Sequence, residues 1–256
     1  MVDPRTSVIN ERLVGISRII AVSSGKGGVG KSMVATTLAL ALVQNGCKVG
    51  LFDLDFTSPS THVILGAENV QPKEEKGLVP PTVDGLEYMS LVYFVGDKPA
   101  PLRGADVSNA LIELLAVTQW GKLDFLIIDM PPGIGDVILD LILLIKRLEF
   151  LIVTTPSLLA FETVKKQVSL LCELKMPIIG VVENMKMDQA IGVHVETEKL
   201  GLKYLGAITL DPKVEDSIGN KSKLLNTAIG KKLKQVAEKV ILVEKREPYG
   251  CLASKQ

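Results

Sequence analysis

The chain has 256 residues, of which 47% are apolar and 23% charged, so it is long enough to bury a sizeable core. This composition excludes a disordered tail and a small disulfide-stapled domain. The 29 basic and 29 acidic side chains cancel to a formal net charge of zero. That balance argues against whole-molecule attraction to nucleic acid or to an anionic membrane, so nucleic acid is not expected as a partner.

The three cysteines, Cys47, Cys172 and Cys251, stand far apart and form no C-x-x-C pair. Such spacing is typical of a reducing compartment. The first fifteen residues mix charged and polar side chains and lack the apolar core of a signal peptide. No window approaches the roughly 18 uninterrupted apolar residues of a transmembrane segment. We therefore expect a soluble, cytoplasmic protein.

Short apolar runs rich in valine and isoleucine alternate with longer helical stretches. The runs lie at 18–22, 48–52, 125–128, 150–153 and 178–182. Parallel strands that are covered on both faces have this continuous apolar pattern, and the alternation with helices indicates right-handed crossovers. We predict an α/β fold in which a doubly wound, mostly parallel sheet is flanked by helices, as one domain over residues 1–256.

The most informative segment is SGKGGVGKS, which follows the first predicted strand and precedes a helix-like run. It matches the phosphate-binding pattern G-x-x-x-x-G-K-[ST]. In such a loop, glycines let backbone N–H groups surround phosphate oxygens, the lysine reaches the outer phosphates, and the serine hydroxyl can ligate Mg²⁺. The segment therefore predicts a nucleotide site formed by Gly25, Lys26, Gly27, Gly28, Val29, Gly30, Lys31, Ser32 and Met33.

Carboxylates follow two of the predicted strands. Asp53 and Asp55 lie in DLDFTSPS, and Asp129 ends the strand in DFLIIDMPPGIGD. Because ligands of doubly wound sheets bind at the carboxyl ends of strands, we expect these acids beside the phosphate site. The strand that ends in Asp129 is typical of a Walker B strand, whose aspartate holds magnesium through water. Gly133, in the turn that follows, would let the backbone approach the γ-phosphate.

Two further segments bear on the organisation of the chain. Residues 68–85 contain three prolines and a charge cluster, and we interpret them as a flexible surface loop rather than as a linker between two domains. A stripe of apolar residues at helical spacing predicts a C-terminal helix over about 222–245. Between residues 221 and 246 there are eight basic and two acidic side chains. This helix either presents a solvated lysine face or makes a weak contact with phosphate or a lipid surface.

The run KGGVGKS, with the additional Lys26 inside the loop, resembles the deviant Walker A motif of the MinD, ParA and Mrp group of ATPases. DMPPGIGD is similar to the DMPPGTGD segment of the Mrp/ApbC family of iron-sulfur cluster carrier ATPases. VTTPSLLAFETVKK, GVVENM and LGAITLDP follow in that family's order, so the resemblance covers about four-fifths of the chain.

The resemblance implies a slow, dimer-dependent ATP hydrolase with three catalytic residues. Lys26 would cross the dimer interface to the partner's phosphates, as an arginine finger does, although it could instead neutralise only its own loop. Lys31 would act on the outer phosphates, and Asp55 would position or activate the attacking water.

By the same resemblance, Ser32 and Asp129 would hold magnesium, and Asp53 would support either the metal or the switch geometry. Asn184 would read adenine through its side-chain amide, which can donate and accept at once. Pro212 would lie beside that base. The implied cofactors are thus ATP and Mg²⁺.

The chain departs from the family at the cluster site. The family's carriers place C-x-x-C shortly after the Asn-Met pair, so that a dimer bridges one cluster, but ENMKMDQAIGVHVETEKLG contains no cysteine. A bound iron-sulfur cluster is therefore doubtful. Ile134 also replaces the usual threonine of the second switch. We expect a homodimer that acts in iron-sulfur cluster or metal-centre assembly, with client or scaffold proteins as partners.

A second hypothesis is a MinD- or ParA-like nucleotide switch that regulates association with membrane, DNA or a protein partner. The basic C-terminal stretch and the missing C-x-x-C motivate it. The apolar run at 137–148 is open to two interpretations as well: a core helix, or a surface for a dimer or client that ATP assembles.

Overall fold

The computed structural model of the chain describes residues 4–95, 104–187 and 192–242. The strands in these ranges are β1 (Ile16–Ser23), β2 (Val49–Asp53), β3 (Lys73–Glu74), β4 (Leu78–Val79), β5 (Thr82–Val83), β6 (Leu86–Ser90), β7 (Leu123–Asp129), β8 (Leu148–Thr154), β9 (Ile178–Lys186) and β10 (Tyr204–Thr209). The helices are α1 (Arg5–Leu13), α2 (Lys31–Gln44), α3 (Thr61–Leu65), α4 (Val92–Val95), α5 (Ala105–Val117), α6 (Asp136–Leu144), α7 (Leu158–Glu173), α8 (Val193–Lys199), α9 (Lys221–Asn226) and α10 (Ala228–Leu242), with a 3-10 turn at Pro212–Ser217.

Eight strands form one sheet in the order β10-β9-β8-β1-β7-β2-β6-β5. Neighbouring strands run parallel, except that β5 pairs antiparallel with β6. The prediction of a doubly wound, mostly parallel sheet is confirmed, and each of the five predicted apolar runs overlaps one of its strands, with only Lys48 of the run 48–52 outside. The strand order reverses beside β1, where crevices for ligands open in such sheets.

Two apolar layers enclose the sheet. On one face, α2 and α10 pack together over the strands. On the other face, the buried sides of α5, α6 and α7 complete the second layer. The sequence of α2 is apolar almost all round because this helix lies between the sheet and α10. The start of α2 is thereby fixed beneath the carboxyl ends of the central strands.

The surface loop predicted at 68–85 contains short strands, and its flexibility stays a prediction. β3 and β4 form a short hairpin there, and β5 extends the main sheet at its edge. These strands have two residues each, which is too short for an alternating pattern to appear in the sequence.

The C-terminal segment forms two helices rather than one continuous helix from 222. Thr227 adopts an extended conformation between α9 and α10. Its hydroxyl accepts a hydrogen bond from the Gly230 N–H at 3.2 Å, as a helix-capping side chain does. The apolar stripe continues across this break, so periodicity alone could not reveal it. Residues 243–245 of the predicted helix lie outside the described residues.

None of the helices in the described ranges is both long enough and apolar enough to cross a bilayer.

Candidate functional site

The loop between β1 and α2 is shaped by glycines. Gly28 and Gly30 both have a left-handed backbone, with φ of 77° and 76°. A Cβ atom on Gly30 would lie 2.4 Å from the Asn184 Nδ2 atom, so no other residue fits there without a shift. The loop can therefore turn its backbone N–H groups inward above the start of α2.

This loop borders a cavity of about 460 Å³. Of the loop residues predicted to contact nucleotide, those from Lys26 to Met33 line it, whereas Gly25 does not border it. Asp55 and Pro132 approach from the segments that follow β2 and β7. The Ser24 hydroxyl donates to the Lys26 carbonyl at 2.9 Å, which fixes the turn at the loop entrance. The predicted phosphate residues are thus brought together with the predicted catalytic acid.

A buried ion pair lies at the floor of the cavity. The Lys31 ammonium donates to the Asp129 Oδ1 atom at 2.6 Å, and these residues are 6% and 0% exposed. Burial raises the pKa of Asp129 to about 7; Lys31 acts in the opposite direction, and the charge of Asp53 raises it further. The ion pair holds Lys31 at the N-terminus of α2, where its ammonium group would contact the outer phosphates of a nucleotide.

The second oxygen of Asp129 provides a test of whether magnesium fits. Asp129 Oδ2 is buried and has no hydrogen-bond partner among the described residues. The Ser32 side chain lies close enough to lower the pKa of Asp129 by hydrogen bonding. A serine hydroxyl and a carboxylate that acts through water suit Mg²⁺, which prefers oxygen ligands and keeps several waters. Ser32 and Asp129 therefore fit the predicted metal site.

Asp53 is fully buried, and both of its oxygens accept hydrogen bonds. Oδ1 accepts from the Asp55 N–H at 3.0 Å, and Oδ2 accepts from the Thr61 hydroxyl at 2.6 Å and the Thr61 N–H at 3.2 Å. Burial raises the pKa of Asp53, and these hydrogen bonds counteract it. Of its two predicted roles, this environment favours support of the switch geometry over direct contact with the metal.

Asp55 lies at the cavity wall. One of its carboxylate oxygens accepts hydrogen bonds from the next turn, and the other lies toward Lys31 of the loop. Its Oδ1 accepts from the Thr57 N–H and hydroxyl at 3.1 and 2.9 Å, and from the Ser58 N–H at 3.2 Å. Its Oδ2 lies 4.0 Å from the Lys31 Nζ atom. A carboxylate held in this way faces the cavity where an attacking water would stand.

The predicted base-binding residues also lie together. Asn184, Pro212 and Met33 line a second cavity, of about 290 Å³, which adjoins the loop at Gly30. The Asn184 amide donates to the Val29 carbonyl at 2.9 Å, so this residue joins β9 to the phosphate loop. That contact was not foreseen, because it links residues far apart in the sequence. Reading of adenine by Asn184 and Pro212 stays a prediction.

Gly133 contacts the phosphate loop through its backbone. Its N–H donates to the Ser24 carbonyl at 2.9 Å, so contact with a γ-phosphate would require this hydrogen bond to break. Ile134, the next residue, is 43% exposed. The turn therefore lies where a second switch is expected, while its sensing role stays a prediction.

Other residues that support the site gave no sequence signal. On α7, the Gln167 amide donates to the Ser23 hydroxyl at 2.8 Å. Thr163 lies so close to the loop that a Cβ atom on Gly25 would be 2.4 Å from its Oγ1 atom. Behind Asp53, the Thr61 and Tyr88 hydroxyls are 2.8 Å apart. Each of these contacts depends on the folded sheet rather than on spacing along the chain.

The part of the sequence where the family's carriers place their cysteines is only partly described. Residues 188–191 lie outside the described ranges, as does Cys251. Among the residues that are described, no group of three or more histidine, cysteine or acidic side chains could hold a metal ion.

A glycine loop at a strand-to-helix turn, a buried lysine at its end and an aspartate on the neighbouring strand define a P-loop NTPase. The chain belongs to the ParA family in that class: the family described as the NUBPL iron-transfer P-loop NTPase matches residues 15–242. The family resemblance predicted from the sequence is confirmed.

Similar proteins point the same way. An iron-sulfur cluster carrier protein from Aquifex aeolicus is 40% identical over 222 residues, which are 80% of this chain and 61% of that protein. One from Methanococcus maripaludis is 38% identical over 230 residues, or 83% of this chain and 80% of that protein. A nucleotide-binding protein from Archaeoglobus fulgidus, solved with ADP, superposes with a TM-score of 0.73 at 28% identity and covers 94% of this chain and 98% of its own. This chain thus spans less than two-thirds of the A. aeolicus relative.

We predict that Lys31→Met, without nucleotide, lowers the free energy of unfolding by about 3 kcal/mol at pH 8, because it leaves Asp129 buried and unpaired. The loss should be smaller at pH 6, because removal of Lys31 raises the pKa of Asp129 further and a protonated carboxyl group needs no cationic partner. Denaturant unfolding at both pH values measures this.

Adding Asp129→Asn to Lys31→Met should recover most of the loss at pH 8. Lys122→Met, at an exposed lysine, is the matched control and should stay within about 0.5 kcal/mol of the wild type. Equal stability of Lys31→Met and the wild type at pH 8 would contradict the prediction.

Proposed function

We propose that the protein is a Mg-ATP-dependent ATPase that works as an ATP-dependent homodimer in iron-sulfur cluster or metal-centre assembly. The observation that carries the proposal is the convergence of Lys31, Asp129 and Asp55 at the glycine loop, since phosphoryl transfer depends on positioning and electrostatic stabilisation. The family's iron-transfer description supports the assembly role.

In the proposed reaction, the loop N–H groups hold the phosphates of ATP, and Lys31 moves from Asp129 to their outer oxygens. Bound Mg²⁺ would neutralise charge on the phosphates, held by Ser32 directly and by Asp129 through water. Asp55 orients the attacking water with its free oxygen. Lys26 lines the same cavity. In the proposed dimer it would reach the partner's nucleotide.

Exposed apolar side chains on α6 and α7 support a contact between protomers. Leu139 and Leu143 on α6 are 40% and 76% exposed, and Leu158 and Leu159 at the start of α7 are 64% and 75% exposed. α6 follows β7, the strand that ends in Asp129, and α7 follows β8, which lies parallel to β1 in the same sheet. We propose that ATP closes two protomers over this surface and that hydrolysis reopens them.

We predict that Lys26→Ala and Asp55→Ala each lower turnover of ATP by about a hundredfold or more. In an equimolar mixture of the two variants, half of the dimers contain one copy of each. In such a dimer, the protomer with Lys26→Ala keeps its own Asp55 and receives Lys26 from its partner, so one of the two sites is complete. The mixture should therefore recover about a quarter of wild-type activity. Steady-state phosphate release measures this.

Lys122→Ala is the matched control, since it removes an exposed lysine away from the cavity, and it should retain wild-type turnover. A mixture of Lys26→Ala and Asp55→Ala that stays inactive would contradict the exchange of Lys26 between protomers. Unchanged hydrolysis in both single variants would refute the assigned roles.

The proposed role in cluster assembly involves client proteins, and here the chain differs from its relatives in its cysteines. The relatives are named as carriers of iron-sulfur clusters, but this chain has no cysteine in the segment that follows Asn184 and Met185. We propose that it acts on client or scaffold proteins without holding a cluster itself. We also propose a cytoplasmic location.

We predict that anaerobic reconstitution with iron and sulfide leaves the purified protein without visible absorption after desalting, because the sequence has no C-x-x-C pair after Asn184 and Met185 to hold a cluster. The A. aeolicus carrier protein, treated in parallel, is the positive control. Stable absorption on this chain would contradict the proposal, and its loss in Cys251→Ser would assign the cluster to that cysteine.

The alternative of a membrane- or DNA-associated switch has less support from the C-terminal helix. The Lys239 ammonium donates to the Leu205 carbonyl at 3.3 Å, and Lys232 contacts Gln235, so part of the basic charge is used within the fold. The apolar stripe of α10 is buried against α2 and the sheet. The solvated-lysine interpretation therefore agrees better with this packing.

A further inference from the structure

A chain of three buried side chains lies behind the wall of the nucleotide cavity. The Thr61 hydroxyl donates to Asp53 Oδ2 at 2.6 Å, and Thr61 Oγ1 lies 2.8 Å from the Tyr88 hydroxyl oxygen. All three side chains are 0% exposed. Because Thr61 uses its hydrogen toward the carboxylate, Tyr88 is the donor in the second hydrogen bond.

The chain leads directly to the proposed catalytic acid. The other oxygen of Asp53 accepts the N–H of Asp55 at 3.0 Å, and this contact fixes the backbone from which the Asp55 side chain projects. Asp55 Oδ1 then organises the next turn by accepting from Thr57 and Ser58. The free Asp55 oxygen is left facing Lys31 at 4.0 Å.

Neither hydroxyl is in a position to touch a nucleotide. Asp55, Thr57 and Ser58 line the cavity, whereas Thr61 and Tyr88 are not among the residues that border it in the described ranges. Burial and the charge of Asp53 raise the pKa of Tyr88, so its hydroxyl keeps its proton and remains a donor. The two hydroxyls therefore act on the chemistry through their neighbours, of which Asp53 has a direct hydrogen bond to Asp55.

Packing alone explains the aromatic ring of Tyr88 but not its hydroxyl group. The Tyr88 ring is fully buried and packs edge-on against Tyr93 with centroids 5.8 Å apart, which accounts for the ring but not for the hydroxyl. A phenylalanine would fill the same space. The hydroxyl instead bonds Thr61, which lies on α3 at the end of the segment that begins with Asp53, and Ser90 is a second hydrogen-bond partner.

We propose that Thr61 and Tyr88 are positioning residues for ATP hydrolysis, which hold Asp53 so that the 53–58 turn keeps the Asp55 carboxylate toward the phosphate site. The inference rests on the proposed function, since it assigns to Asp55 the orientation of the attacking water. Loss of either hydroxyl loosens the turn and misplaces Asp55 without removing any group that binds ATP. Small misplacements of a catalytic group are costly in rate.

The test compares four variants by the hydrolysis rate at saturating ATP and by the dissociation constant of ATP. Thr61→Val should lower the rate about tenfold and Tyr88→Phe about threefold, each with the dissociation constant within about twofold of the wild type. Thr61→Ser keeps the hydroxyl and should restore the rate to within about twofold. Thr118→Val is the matched control, because Thr118 is also fully buried but bonds a backbone carbonyl on α5.

A second readout does not depend on activity. Hydrogen exchange of the Asp55 amide, which donates to Asp53, should accelerate in Thr61→Val and Tyr88→Phe but not in Thr118→Val or Thr61→Ser. Rates and Asp55 exchange that match those of Thr118→Val in both hydroxyl variants would overturn the inference. If the wild type fails to hydrolyse ATP, the proposed function fails, and the exchange measurement still decides whether the hydroxyls hold the turn.

Discussion

The site depends on one buried ion pair. Burying an ammonium and a carboxylate costs several kcal/mol per ion unless geometry and further hydrogen bonds compensate, and here the contact between Lys31 and Asp129 is 2.6 Å. The sheet register places Asp53 directly opposite Asp129, so a second carboxylate adds to the same cost. The glycine loop, the α2 start and the two strand ends have to be arranged together for these charges to be tolerated. The charged groups whose burial costs most free energy thus lie together at the place where a charged ligand would bind.

The surrounding structure supports that arrangement from both faces of the sheet. On the α2 side, Thr61 donates to Asp53. On the α7 side, Gln167 bonds to Ser23, and Thr163 abuts Gly25. On the proposed function, Lys31 can exchange its carboxylate partner for a phosphate, since both are oxygen anions of suitable geometry. On the same proposal, Asp129 Oδ2 would hold a metal-bound water and Asp55 Oδ2 would orient the attacking one.

Much of this could be predicted from the sequence, because the central strands are continuous apolar runs and the loop pattern is specific. Lys31, Asp55 and Asp129 follow directly from motif and strand position. The two-residue strands at 73–83 could not be predicted, since they are too short to show a period. The break at Thr227 was hidden by a stripe that continues through it. Tyr88 and Gln167 gave no signal because their partners are 27 and 144 residues away, and only the sheet brings them together.

The most direct test of the account is a crystal structure of the full chain with Mg²⁺ and a non-hydrolysable ATP analogue. The account predicts phosphates inside the glycine loop, with the Lys31 Nζ atom on their outer oxygens and its distance to Asp129 Oδ1 well beyond the present 2.6 Å. It also predicts an ordered water beside Asp55 and a lysine 26 from a second copy at the same phosphates. An analogue bound elsewhere, with the Lys31 to Asp129 contact unchanged, would contradict it.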